Sequence, residues 1–406
     1  MNLVNLLIVF AVIVVLIRIK QPLVVALAAA TLATILLFRI PAFDAVKYMW
    51  RGATTWTTIQ TLLVFYTITF LQRMMEKRKN LTAADSALNG LFHNRRVNVA
   101  AAPFIIGMLP AVSAVLLCGP IVRGSAKDAL SVEEQSACTS YFRHISECFL
   151  PTYASIFVAL TLTNGRVGPS DFVLVMLPLV AILFISGWVV YLRRIPREGA
   201  VIPEGTKKDF FKLLCTSIWQ IVLSIVLIMA FNVPVYIATG IVIVINFFVN
   251  KFTFREIVPF FASSFEKKMM FGTWMTMIFK EVLLSTGVIS ELPDYFAKLP
   301  VPTFLIFMLL FFCSTLVATN NAIVPICVPM IVATIPEGQS CLALFAVSMF
   351  SSYLAMQVTP VHICLSVCAE DFKVDLSEII KRGIPMVAIA AVAAAVYYLI
   401  LSAIGF

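Results

Sequence analysis

The chain carries one interrupted pattern twice, about 208 residues apart, and in both copies polar residues and prolines break apolar runs. The first copy reads Leu109-Pro110-Ala111-Val112-Ser113, then Gly119-Pro120, then Ser146-Glu147 and Pro151-Thr152-Tyr153. The second reads Thr319-Asn320-Asn321, then Val328-Pro329, then Gln357-Val358-Thr359-Pro360-Val361-His362. Lipid leaves no solvent for loose backbone, so a broken helix survives in a membrane only where protein or a wet cavity covers it. A duplicated pair of broken helices therefore points to the binding site of a secondary transporter.

Composition places these helices in a bilayer. Hydrophobic residues are 61% of the chain and charged residues 13%, against a soluble average of about 25% charged. The net charge of +9 reads as cytoplasmic loop charge and not as affinity for nucleic acid. Nine cysteines show no metal-ligand spacing, and Cys364 and Cys368 lie one helical turn apart. The N-terminus is apolar from Leu3, with Arg18 and Lys20 after the run, and reads as a retained first helix. No nucleophile, zinc or phosphate-loop motif supports an enzyme.

A crossing needs about 20 apolar residues. The first half offers spans near 2–18, 22–39, 54–73, 140–163 and 170–192, and the second near 210–231, 233–250, 265–285, 338–369 and 383–404. Two split segments remain, about 97–124 and 302–335, each with limbs too short to cross; they read as re-entrant hairpins. Five crossings are an odd number, so the second half runs inverted to the first. The predicted fold is all-α and polytopic: one repeat over 1–195, a cytoplasmic linker over 196–209, and an inverted repeat over 210–406. The basic residues Arg73, Lys77, Arg78, Arg95, Arg96, Arg193, Arg194, Lys251, Arg255, Lys381 and Arg382 then share one side, the cytoplasm, and both termini lie outside. Segments 80–92 and 288–300 read as short interfacial helices.

Site chemistry is expected at the tips and breaks. Half-helix N-termini receive anions, and loose carbonyls hold cations. The candidate substrate contacts are Ser113, Thr152, Tyr153, Asn320, Asn321, Thr359 and His362. Ser113, Glu147, Thr319 and Asn320 are the candidates for ion coupling. Glu147 has two readings: a coupling carboxylate within a span, or an i,i+4 surface pair with Arg143. The acidic run Glu370, Asp371, Asp375 and Glu378 reads as a solvated loop. Asn164-Gly165-Arg166 reads as a turn between spans.

The strings Arg143-His144-Ile145-Ser146-Glu147-Cys148-Phe149-Leu150-Pro151 and Val358-Thr359-Pro360-Val361-His362-Ile363-Cys364-Leu365 resemble an integral-membrane branch, known as a domain of unknown function, of the ion transporter superfamily. That group holds gluconate permeases, citrate–metal symporters and divalent-anion/sodium symporters, and the resemblance spans almost the full length. It implies a homodimer of elevator carriers in the cytoplasmic (inner) membrane of a prokaryote. Each carrier would have a scaffold domain and a moving transport domain. It also implies coupling to Na+ or H+ and no organic cofactor. The sodium–dicarboxylate members repeat a Ser-Asn-Thr tip; here Thr319-Asn320-Asn321 is close to it, and Ala111-Val112-Ser113 is less polar.

The expected function is ion-coupled secondary transport of a small organic anion such as a carboxylate. The alternatives are a cation/proton antiporter or inorganic-anion exporter using Glu147, a lipid-carrier translocase, and a membrane subunit that transports nothing. The expected partners are the anion, the coupling ion, the lipid bilayer and a second copy of the chain.

Overall fold

Helices joined by short turns make up the fold, and no strand occurs among the described residues of this computed structural model. Those residues are 2–92, 94–108, 114–198, 205–289, 291, 295, 298–360 and 362–404. The first half runs α1 (Asn2–Arg18), α2 (Leu23–Leu37), α3 (Ala42–Thr54), α4 (Trp56–Lys77), α5 (Asn80–Leu91), α6 (Arg95–Gly107), α7 (Ala114–Ala126), α8 (Val132–His144), α9 (Ala154–Leu162) and α10 (Pro169–Val190). The second runs α11 (Lys207–Ala230), α12 (Val235–Val249), α13 (Phe254–Ser263), α14 (Lys267–Ser285), α15 (Thr303–Val317), α16 (Asn320–Thr334), α17 (Leu342–Met356), α18 (Ile363–Phe372) and α19 (Leu376–Ala403). By length and composition α10, α11 and α19 can each cross a membrane, and six shorter helices are apolar as well.

The turns recur as the helices do. Lys20, Arg39, Lys79, Lys127 and Asn164 adopt left-handed φ, and so do Asn232, Lys251, Gly287, Gly338 and Lys373, each about 208 to 212 residues later. A left-handed residue other than Gly or Asn is uncommon. Five such positions therefore recur at a nearly constant spacing, which apolar composition alone does not require.

Packing crosses between the halves. Helix α16 of the C-terminal half packs on α9 of the N-terminal half, and α7 packs on α18. Around α14 lie α2, α3 and α4, and α4 also meets α12. Helix α8 packs on α6 and α7 and helix α17 on α15, and both α8 and α17 also meet α10 and α19.

Several expectations need correction. Gly119-Pro120 does not split its segment: α7 runs through it, and α16 runs through Pro325 and Pro329. Each proline deletes one N–H, and close neighbours allow an apolar helix to continue past the gap. The fourth span begins earlier than 140, at Val132, because Ser131 and Glu134 form a capping box. Sequence reading also missed α3 and α13. Both expose one apolar face, with Phe43, Val46 and Trp50 on α3 and Phe254, Val258 and Phe261 on α13. That is the form of a helix lying in a membrane interface. Helix α5 occurs where expected, whereas residues 290, 292–294 and 296–297 of segment 288–300 and the whole of 109–113 lie outside the described residues.

Two further readings change. Arg166 is more than part of a turn: its guanidinium donates to the carbonyls of Val332, Ile335, Pro336 and Gln339, at 2.7 to 2.9 Å, and so closes the C-terminal end of α16. The acidic run is not wholly a solvated loop, since α18 extends to Phe372 and Asp371 pairs with Arg123 of α7 at 2.8 Å.

Candidate functional site

A cavity of about 600 Å³ lies between the face of α4 and α14 and the two helix breaks. Its size is that of a small-molecule site, about 300–1,000 Å³. Thr152, Tyr153, Thr319, Asn320, Asn321, Thr359, His362 and Glu147 all line it. Sequence positions from 147 to 362 thus converge on one wall. Ser113 lies outside the described residues.

The breaks explain the convergence. Helix α8 ends at His144, tightens into a 3-10 turn over Ile145–Cys148, and resumes as α9 only at Ala154. Pro151 disfavours helical backbone at Leu150 before it. In the other half α17 stops at Met356 and α18 starts at Ile363, with Pro360 between. Helix α6 closes onto the first break. Tyr153 donates its hydroxyl to the Gly107 carbonyl, and a Cβ at Gly107 would collide with the Arg143 carbonyl.

Among the described residues, three helix N-termini face the cavity. The N-caps of α9, α16 and α18 are Tyr153, Thr319 and His362, and all three line it together with first-turn residues Ser155, Asn321 and Cys364. None of these caps bonds its own helix through a side chain. The first N–H groups of a helix have no helical acceptor, and their dipoles sum to a partial positive charge. The wall therefore presents backbone donors and positive potential from three directions.

One ion pair dominates the wall's fixed charge. Arg143 is 1% exposed, and its guanidinium donates to the Glu147 carboxylate; both residues line the cavity. Of the two sequence readings of Glu147, the structure bears on the pair with Arg143 alone. The pair exists, yet it is buried in the site instead of lying on a surface, and Glu147 sits in the 3-10 turn. Asn320 accepts a hydrogen bond from Ser352 at 2.8 Å, so it also serves the fold, whereas Asn321 is exposed to the cavity. Thr359 donates to the Leu316 carbonyl at 2.8 Å. The Thr152 hydroxyl is buried and has no hydrogen-bond partner among the described residues.

Sequence reasoning missed the opposite wall. Thr69, Gln72, Arg73 and Glu76 of α4 line the cavity, as does Glu266 just before α14. Arg73 bridges Glu76 and Glu266 at 3.1 and 3.0 Å. The signal was present, because polar residues at helical spacing 69, 72, 73 and 76 interrupt an apolar helix. Also unanticipated is the approach of His144 to His362, with Nε2 atoms 2.9 Å apart across 218 residues of sequence. The cysteine spacing suggested no metal-ligand cluster; in space Cys364 joins these two histidines, with one ligand atom from each within 4.8 Å of the others.

Residues 2–403 match the family described as "Protein of unknown function (DUF401)". The fold is similar to that of the YdaH transporter of Alcanivorax borkumensis, whose crystal structure is described as revealing an unusual topology. The TM-score is 0.68 over 90% of each chain, at 11% sequence identity, so the likeness concerns the fold alone. No curated protein matches the sequence. The apolar helices and this likeness mark a membrane protein with a transporter's fold.

Proposed function

The chain belongs to the DUF401 family, and from that premise we propose that it is a secondary active carrier of a small organic anion, driven by Na+ or H+. The observation that carries this reading is the wall on which three uncapped helix N-termini surround the buried Arg143–Glu147 pair. A carboxylate of the substrate would lie against those N-termini and take the Arg143 guanidinium. Thr152, Tyr153, Asn320, Asn321, Thr359 and His362 would orient it, with Ser113 of the other tip. Glu147, released from Arg143, would receive the coupling cation beside Thr319 and Asn320. Anion and cation would then bind together because each frees the other's partner, which is a coupling free energy between adjacent sites.

The same reading extends to the whole chain. Residues 1–195 and 210–406 would be inverted repeats joined by the linker 196–209, with opposed hairpins at about 97–124 and 302–335. Support comes from the matched left-handed turns and from the reciprocal packing of α16 on α9 and α7 on α18. Helices α1–α4 and α11–α14 would form the scaffold, and the hairpins, broken helices, α10 and α19 the moving part of an elevator. The cavity between α4 with α14 and the broken helices would then lie on the sliding interface. The carrier would work in a prokaryotic inner membrane, as a homodimer, within the ion transporter superfamily.

The test is a thermal-shift screen of purified protein against small carboxylates, with sodium or potassium as the cation. A stabilising carboxylate is expected. Asn321→Ala should fold normally and weaken its binding about tenfold, since a hydrogen bond to a charged group is worth about 1.5–3 kcal/mol. Asn320→Ala should show the same binding loss plus about 1 kcal/mol of destabilisation from the lost Ser352 bond. Equal stabilisation of the native chain and both variants would move the anion site elsewhere.

A further inference from the structure

We propose that His144, His362 and Cys364 form a binding site for a borderline or soft transition-metal ion of the Zn2+ class, set in the wall of the cavity. One ligand atom from each of the three residues lies within 4.8 Å of the other two, and the two imidazole Nε2 atoms are 2.9 Å apart. Zinc takes nitrogen at about 2.0–2.1 Å and thiolate at about 2.3 Å, so tetrahedral donors stand about 3.3–3.7 Å apart. Small side-chain adjustments bring the three atoms into that range.

The tautomer suits a metal. Nδ1 of His144 is 2.5 Å from the Ser140 carbonyl oxygen, which can only accept. The proton therefore sits on Nδ1, and Nε2 directs its lone pair toward His362 and Cys364. An imidazole fixed through its far nitrogen by a backbone carbonyl is the usual outer support of a metal-bound histidine. His362 would bind through Nε2 with its proton on Nδ1. Cys364 would bind as thiolate and release its proton to solvent.

The donor set also selects the ion. Two nitrogens and one sulfur favour Zn2+ or its soft neighbours, whereas Na+ and Mg2+ require oxygen. His144 is fully buried, while His362 and Cys364 line the cavity. Glu147 lies 3.9 Å from His144 Nε2 and is held by Arg143. The fourth position is therefore left to water or to a ligand in the cavity, the pattern of an open site and not of a closed structural one. Metal binding does not depend on the transport reading; a substrate carboxylate in the fourth position does.

The test uses the purified full-length protein, stripped of metal and titrated with CoCl2 or ZnCl2 and no organic anion. One Co2+ per chain should bind with a thiolate-to-cobalt charge-transfer band, and Zn2+ should displace it. Cys364→Ser should abolish the band, and His362→Asn should weaken binding by more than the roughly 10–100-fold lost with an outer-shell partner. Cys368→Ser, one turn away, should leave the band intact. If Cys364→Ser fails to fold, the native chain still decides: Zn2+ should slow alkylation of Cys364 measured by mass spectrometry. The proposal is overturned if the native chain gives no band and no protection, or if the band survives in folded Cys364→Ser. Failure of the carboxylate screen would leave the metal result untouched, and the reverse also holds.

Discussion

Arg143→Met should unfold at a markedly lower temperature and bind no carboxylate, whereas Arg143→Met/Glu147→Met should fold well and still bind none. Removing one member of a buried ion pair strands the other charge and costs about 3–5 kcal/mol, but replacing both with apolar side chains of similar volume is often neutral or stabilising. Arg143 is 1% exposed and its partner largely buried, so the full penalty applies. Binding follows a different rule. If the substrate carboxylate takes the guanidinium through two charge-assisted bonds of about 1.5–3 kcal/mol each, affinity falls at least about 100-fold in both variants. Thermal unfolding and ligand titration of the two proteins separate folding from function. A double variant that binds carboxylate like the native chain would remove Arg143 from the site.

Glu147→Gln should abolish ion-driven accumulation while leaving exchange of substrate across the membrane. The amide keeps the side chain's shape and can still accept from Arg143, but it carries no charge for a cation to neutralise. Binding of the anion would then no longer require the cation, and a gradient of Na+ or H+ would have nothing to act on. Proteoliposomes loaded with unlabelled carboxylate would report exchange, and empty ones with an imposed ion gradient would report accumulation. Normal accumulation in Glu147→Gln would leave the pair a purely structural feature.

The site was legible in sequence because its breaks are written in residue chemistry. Pro151 and Pro360 each lie between a helix that stops and one that resumes, and a polar pair such as Asn320-Asn321 has few reasons to sit in an apolar run. What escaped has physical causes too. Gly119-Pro120 carries the same local signal as a break, and only its packed surroundings keep α7 continuous. Arg166 looks like a turn residue until its partners, the carbonyls that end α16 some 166 to 173 residues away, are in place. His144 sits beside charged Arg143 in sequence, and its neighbour in space, His362, belongs to the other half. Helices α3 and α13 are shorter than a crossing and only half apolar, so a search for spans passes over them.

Under the proposed transport function the cavity opens alternately to the two sides of the membrane. Ser155→Cys tests it most directly, because Ser155 lines the cavity at the start of α9 and the thiol nearly matches the hydroxyl in size. Cys215 and Cys313, which are exposed, and Cys364, which lines the cavity, would be replaced first. Membrane-impermeant thiol reagent is then applied to right-side-out and to inverted vesicles. Alternating access predicts labelling from both sides, slowed from both by a bound carboxylate; labelling from one side alone under every ionic condition would contradict it.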